Sequence, residues 1–150
     1  MERITIQSDI AEISKVESFV SNICDNHNLD RYFASITMAV VSAVDNAIRH
    51  GNHSVKEKKV VIESAVVRGG ISFSVEDEGE GFDYQHHGHI DDDATGNGMI
   101  MMRMLADEVE YSEGGRRVNM LFAVSGIDEA LANQRCRVLK QFSPAQVLNV

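Results

Sequence analysis

Two periodicities divide the chain into short runs. Arg3-Ile4-Thr5-Ile6-Gln7 alternates apolar and polar residues, which predicts a strand with one buried face. Beyond it Ile10, Ile13, Val16, Phe19, Val20 and Ile23 recur at helical spacing, so a helix follows, with Ser8 or Asp9 placed to cap it. After polar residues 25–28 a longer helix is predicted over Leu29–His50, with Phe33, Ile36, Val40, Val44 and Ala47 on its apolar side. Gly51 and Asn52 supply its stop, because both tolerate left-handed backbone. Lys59–Val67 reads as a strand, Arg68-Gly69-Gly70 as a hairpin turn, and Ile71–Val75 as the returning strand. Residues 82–95 form a polar loop and Met99–Asp107 a helix. Val109–Tyr111 and Val118–Val124 are two further strands joined through Glu113-Gly114-Gly115-Arg116. Past Ser125 the composition shifts, and Asp128–Phe142 suits one more, weakly periodic helix before Pro144 and a frayed end. This divides the chain into a domain over 1–124 and an extension over 125–150. Helices set apart from mostly antiparallel strands predict an α+β two-layer sandwich.

One helical face breaks the apolar pattern. Ser42, Asn46 and His50 fall four apart and stack on one side of the second helix, where an amide and an imidazole replace aliphatic groups. Two later stretches give that stripe a purpose. Asp77-Glu78-Gly79-Glu80-Gly81 follows an apolar strand, and Gly96-Asn97-Gly98-Met99 opens a helix. A carboxamide oxygen is a hard ligand suited to Mg²⁺. A carboxylate at a strand end can accept a hydrogen bond from an exocyclic amine, which distinguishes adenine from guanine at that edge of the base. Paired glycines let a backbone approach a base closely, and the free N–H groups at a helix start receive phosphate oxygens. Each motif also has a plainer reading: a hydrogen-bonded buried asparagine, a tight acidic turn, a flexible hinge. The glycine pair is not a dinucleotide fingerprint, since no strand immediately precedes it and Met101 stands where that pattern wants glycine or alanine.

Bulk properties narrow the partners. With 150 residues, 43% hydrophobic and 25% charged, the chain suits one globular domain with a real core. A formal charge of −9 argues against duplex nucleic acid and suits a basic protein partner. Cys24 and Cys136 stand in no metal-ligand spacing, which fits a reduced, cytoplasmic chain. Met1-Glu2-Arg3-Ile4 lacks the apolar core of a signal peptide, and no segment reaches the length of a membrane span. His86, His87 and His89 lie close to Asp91, Asp92 and Asp93; a solvated loop is the plain reading and a metal site the lesser one. Met99, Met101, Met102 and Met104 crowd one short helix, where core filling is the default and a plastic partner surface secondary.

The order Asn-Ala-x-x-His-Gly, Asp-x-Gly-x-Gly, Gly-x-Gly resembles the nucleotide-binding motifs of the GHKL superfamily, which includes gyrase, histidine kinases and MutL. Within it the chain is most similar to the small bacterial anti-sigma factor serine-protein kinases, over about residues 1 to 124. The resemblance implies the Bergerat fold: a mixed, mostly antiparallel sheet with helices on one face and ATP held between the helix layer and a mobile lid. It implies a nucleotide site in three parts. Asn46 would bind Mg²⁺, with Arg49, His50 and Gly51 beside it. Asp77 would read the adenine amino group, Gly79 and Gly81 would admit the base, and Phe82 would lie beside them in the nucleotide site. Gly96, Asn97 and Gly98 would take the phosphates, with Thr95 and Met99 beside them in the nucleotide site.

Two positions depart from the pattern. Active members usually carry a glutamate four residues before the magnesium asparagine, and Ser42 stands there. Loss of a general base costs ~10²–10⁴-fold in rate. Asp45 is one residue from Asn46, about 100° around the helix, and reads as a solvated charge. Where kinase members often place an arginine for the terminal phosphate, the chain has Ala94-Thr95. The resemblance therefore implies an ATP-binding anti-sigma-type regulator that grips a sigma factor and phosphorylates an anti-anti-sigma antagonist. The alternative is a catalytically weak or inactive, nucleotide-gated protein-binding module. A split-off histidine-kinase catalytic domain is the third reading, disfavoured because no phosphoacceptor hairpin is present. A homodimer is implied by the family alone.

Overall fold

The structure, a computed structural model, describes residues 1–83, 94–124 and 138, and for residues 94–98 the backbone. Among the described residues five strands form one sheet: β1 (Glu2–Gln7), β2 (Lys59–Val67), β3 (Gly70–Glu76), β4 (Glu108–Ser112) and β5 (Arg117–Ala123). Their spatial order is β1-β2-β3-β5-β4, and each neighbouring pair is antiparallel. The sheet was expected to be mixed; among the described residues no parallel pair occurs. Among the described residues the α+β sandwich is completed by helices α1 (Ile13–Asn26), α2 (Phe33–Asn46) and α3 (Ala94–Leu105).

Strand alternation sets the two faces. Ile4 lies opposite Ile62, Ile6 opposite Val60, Phe73 opposite Met120 and Val75 opposite Val118, so one face is apolar across the sheet. α2 packs on β3 and is flanked by α1 and α3. Its Ile36, Val40 and Val44 are fully buried against this face, together with Val16 and Val20 of α1 and Leu105 of α3. Each such side chain contributes about 1.5–3 kcal/mol through removal from water. The opposite face is polar. There Arg3 pairs with Glu63 at 3.5 Å, Arg117 reaches Glu63 at 3.4 Å and donates to Ser74 at 3.0 Å, and Asn119 donates to Ser112 at 3.2 Å.

Helix boundaries differ from the expectation in ways that bear on the site. Leu29–His50 is not one helix: a 3₁₀ turn (Asp30–Tyr32) leads into α2, and α2 widens into a π turn over Ala47–Gly51. Gly51 and Asn52 do not stop it by left-handed backbone. Asn52 sits at φ −95°, and the positive φ values belong to His53 (51°) and Ser54 (58°). Asp9, not Ser8, caps the first helical turn, its carboxylate accepting from the Ala11 N–H at 3.0 Å. α3 begins at Ala94, so Gly96-Asn97-Gly98 lies within its first turns and not ahead of it. The histidine- and aspartate-rich segment 86–93 falls outside the described residues. Of the helix expected over 128–142 only Val138 is described; it is helical, half-buried and packed against the core. Among the described residues no helix is long and apolar enough to cross a membrane.

Candidate functional site

The end of α2 supplies the first wall. Asn46, its last residue, is half-buried, and its carboxamide makes no hydrogen bond to a described residue. One turn back, the Ser42 hydroxyl donates to the Met38 carbonyl at 2.8 Å, so it is tied to its own helix. The π turn then changes the facing of the next residues. Asn52 N–H donates to the Ala47 carbonyl five residues back at 2.8 Å, and this wider turn presents both His50 and Gly51 to the same cavity as Asn46. Arg49 is not part of it. It is exposed and pairs with Asp45 at 2.7 Å on the outside of the helix.

Asp77 faces that wall from the end of β3. Its N–H donates to the Arg116 carbonyl at 3.0 Å, and its Oδ1 accepts from the Gly79 N–H at 2.8 Å. Burial pushes its carboxyl above the ordinary aspartate value, against the opposing pull of the Gly79 N–H and the Arg116 charge. Gly51 and Gly79 are required by close approach. A Cβ on Gly51 would fall on the Asp77 carboxylate, and one on Gly79 would fall on the Gly51 carbonyl oxygen. Gly79 was expected to admit a base; what it admits is the backbone of the α2 end.

A buried residue that sequence reading took for a helix stop holds these parts in register. Asn52 is fully buried. Its amide donates to Ser8 Oγ at 2.8 Å and to the Lys59 carbonyl at 3.0 Å, while its Oδ1 accepts from the Glu78 N–H at 2.8 Å. One carboxamide thus joins the helix end, the β1 end, the β2 start and the acidic loop. Glu78 adds a hydrogen bond from the Lys59 N–H to its carboxylate.

The third wall is aromatic. Phe82 meets Tyr111 edge-on, ring centres 5.3 Å apart at 85°. Burial pushes the Tyr111 phenol up to about 12. The turn between β4 and β5 clamps Phe82: Glu113, Gly114 and Gly115 have φ of 53°, 68° and 97°, and Phe82 N–H donates to the Gly114 carbonyl at 3.0 Å. A Cβ on Gly115 would lie 2.6 Å from the Phe82 carbonyl oxygen, and one on Gly81 (φ 81°) would strike the Gly114 carbonyl. Val75, Met99, Met102 and Val118 complete an apolar floor.

Together these walls line an open cavity of about 150 Å³. Of the residues expected to bind nucleotide, Asn46, His50, Gly51, Asp77, Gly81, Phe82 and Met99 converge on it. Thr95, Gly96, Asn97 and Gly98 occupy the first turns of α3, immediately before Met99. Tyr111, Gly115 and Arg116 line it without having been anticipated. The double glycine at 114–115 marked only a turn, since nothing in sequence says which turn abuts the site. Among the described residues no cluster of histidine, cysteine and carboxylate groups is arranged to hold a metal.

This arrangement sets a carboxylate acceptor, a carboxamide oxygen and apolar, aromatic walls around one cavity. No curated protein matches the chain. The family model described as Histidine kinase-like ATPase domain matches residues 6–122, which include every described wall of the cavity and nearly all of the sheet. The fold agrees with it, and the family implies ATP as ligand. The chain belongs to the histidine kinase-like ATPase domain family, within the GHKL superfamily.

Proposed function

We propose that the chain is an ATP-dependent regulator of the anti-sigma type, in which ATP with Mg²⁺ governs a protein contact and phosphoryl transfer is slow. The observation that carries this reading is the pairing, in one cavity, of a carboxamide with no described hydrogen-bond partner (Asn46) and a carboxylate held by a backbone amide (Asp77). The Asn46 oxygen suits Mg²⁺, which keeps several waters and takes further ligands from phosphates. When bound, the cation would neutralise phosphate charge. Asp77 would accept from the adenine amino group, and the backbone at the start of α3 would face the phosphates.

Slow transfer follows from Ser42. A hydroxyl has no useful basicity near neutral pH, and this one already donates to Met38. An active serine kinase acting on an anti-anti-sigma antagonist is therefore the less supported form of the same role. The partners would be a sigma factor and such an antagonist, and a homodimer would fit the same role.

Calorimetric titration of ATP and ADP, with and without Mg²⁺, tests the proposal on the wild type and on Asn46→Ala. Expected is ATP binding that Mg²⁺ strengthens in the wild type and leaves unchanged in the variant. Absence of nucleotide binding to the wild type overturns the reading. Rapid transfer from labelled ATP to an antagonist-type domain overturns the slow-catalysis part alone.

A further inference from the structure

Arg116 stands beside Asp77 on the cavity rim. Their backbones are joined by the Asp77 N–H donating to the Arg116 carbonyl at 3.0 Å, so the two side chains leave from neighbouring positions. Both line the cavity. The guanidinium is steadied from behind. Its Nε donates to the Glu113 carbonyl at 3.2 Å, and its Nη2 lies 3.8 Å from the Glu113 carboxylate. Its stem runs past Gly81, where a Cβ would touch Arg116 Cγ at 3.6 Å.

Arg116 forms its ion pair with Glu113, not with Asp77. The side chain is 43% exposed and its partner Glu113 56%, so that pair is weak and leaves the flat cation available to the cavity mouth. Asp77 accepts one hydrogen bond from within the protein, at Oδ1 from Gly79. An acceptor and a planar cation with several donors therefore border the same space as the aromatic pair of Phe82 and Tyr111.

We propose that Arg116 is a second contact for the bound nucleobase, its guanidinium lying against the purine ring while Asp77 takes the exocyclic amine. The inference rests on the nucleotide reading and deepens it. Arginine suits the task because it keeps its charge, stacks flat on aromatic rings and needs little desolvation to do so. Its place decides between base and phosphate. Arg116 adjoins Asp77, at the end of the cavity assigned to the amine, whereas the helix amides that would receive phosphates belong to α3.

The test titrates adenosine, ADP and ATP into the whole chain calorimetrically, for wild type, Arg116→Ala and Arg116→Lys, with the unfolding midpoint of each. Expected for Arg116→Ala is a loss of about three- to tenfold in affinity, equal for all three ligands, with the midpoint unchanged. Arg116→Lys should recover part of it, since an ammonium keeps the charge but not the plane. A loss confined to ADP and ATP would make Arg116 a phosphate contact and overturn the proposal. So would unaltered adenosine affinity, or a loss accompanied by a lowered midpoint. Wild type that binds none of the three defeats the nucleotide reading itself, whereas wild-type binding that Arg116→Ala leaves intact defeats this inference alone.

Discussion

Replacing Asn52 with alanine removes a side chain that never meets the cavity and should still damage it. Three hydrogen bonds are lost, to Ser8 Oγ, the Lys59 carbonyl and the Glu78 N–H, all between 2.8 and 3.0 Å. At about 1 kcal/mol net apiece the loss is about 3 kcal/mol. Ser8 is 2% exposed and its hydroxyl proton goes to the Lys58 carbonyl, so its oxygen has no ready substitute donor, which adds roughly 1 kcal/mol. The Glu78 N–H lies in a surface loop and can turn to water, which limits the total to about 4 kcal/mol. Urea unfolding followed by circular dichroism measures this directly, and the thermal midpoint should fall by roughly 10 °C. Asn52→Asp should cost more, because it sets a carboxylate against the Ser8 and Lys59 oxygens in a fully buried position. At temperatures where Asn52→Ala remains folded, nucleotide affinity should also weaken, since the loop carrying Asp77 loses its tie to the α2 end. An Asn52→Ala destabilisation below about 1 kcal/mol, or Asn52→Asp as stable as wild type, would refute the assignment of Asn52 as the joint.

Other residues give sharper functional readouts. Gly51→Ala should abolish nucleotide binding by driving its methyl into the Asp77 carboxylate; calorimetry showing wild-type affinity would contradict the packing described for that glycine. Ser42→Glu should raise ATP turnover by about tenfold or more by supplying a carboxylate one turn before Asn46, as followed by phosphate release; an unchanged rate would mean that the missing base is not what limits the wild type. Asp77→Asn tests burial. Because folding raises the Asp77 pKa, its contribution to stability is present below the unfolded value of ~4 and is lost as pH rises through the folded value. The stability of Asp77→Asn relative to wild type should therefore increase as pH rises from 3 and level off once the pH has passed the folded value, and a difference that shrinks with rising pH would reverse the sign assigned to the shift.

The strands and helices were legible because their periods are local. Val60, Ile62 and Ser64 alternate inward wherever β2 sits in the sheet, and Val16, Val20 and Ile23 must share a helical face. Asn46 drew notice as part of a polar stripe on an otherwise apolar helix and Asp77 as a carboxylate where a strand ends and glycines begin, and the structure sets both on one cavity. The remainder depended on long-range approach. Neither Asn52 nor Ser8 announces a partner 44 positions away, and both carried a plausible local duty, a helix stop and a cap. The π turn had no sequence mark either. It arises where the chain must bring His50 and Gly51 under Asp77, and an ordinary α turn would have served local propensity equally well. Arg116 was hidden for the same reason, since a charged residue after a glycine pair reads as turn surface until β3 is laid beside it.

The contact between Gly79 and the Gly51 carbonyl has a further consequence for anyone wishing to alter ligand choice. Two main chains meet there with no side chain between them, so that flank of the pocket offers nothing to swap for a larger or smaller group. Retuning toward another base has to be carried out from the opposite bank, through Phe82, Tyr111 and Arg116, where volume, polarity and charge can each be exchanged separately.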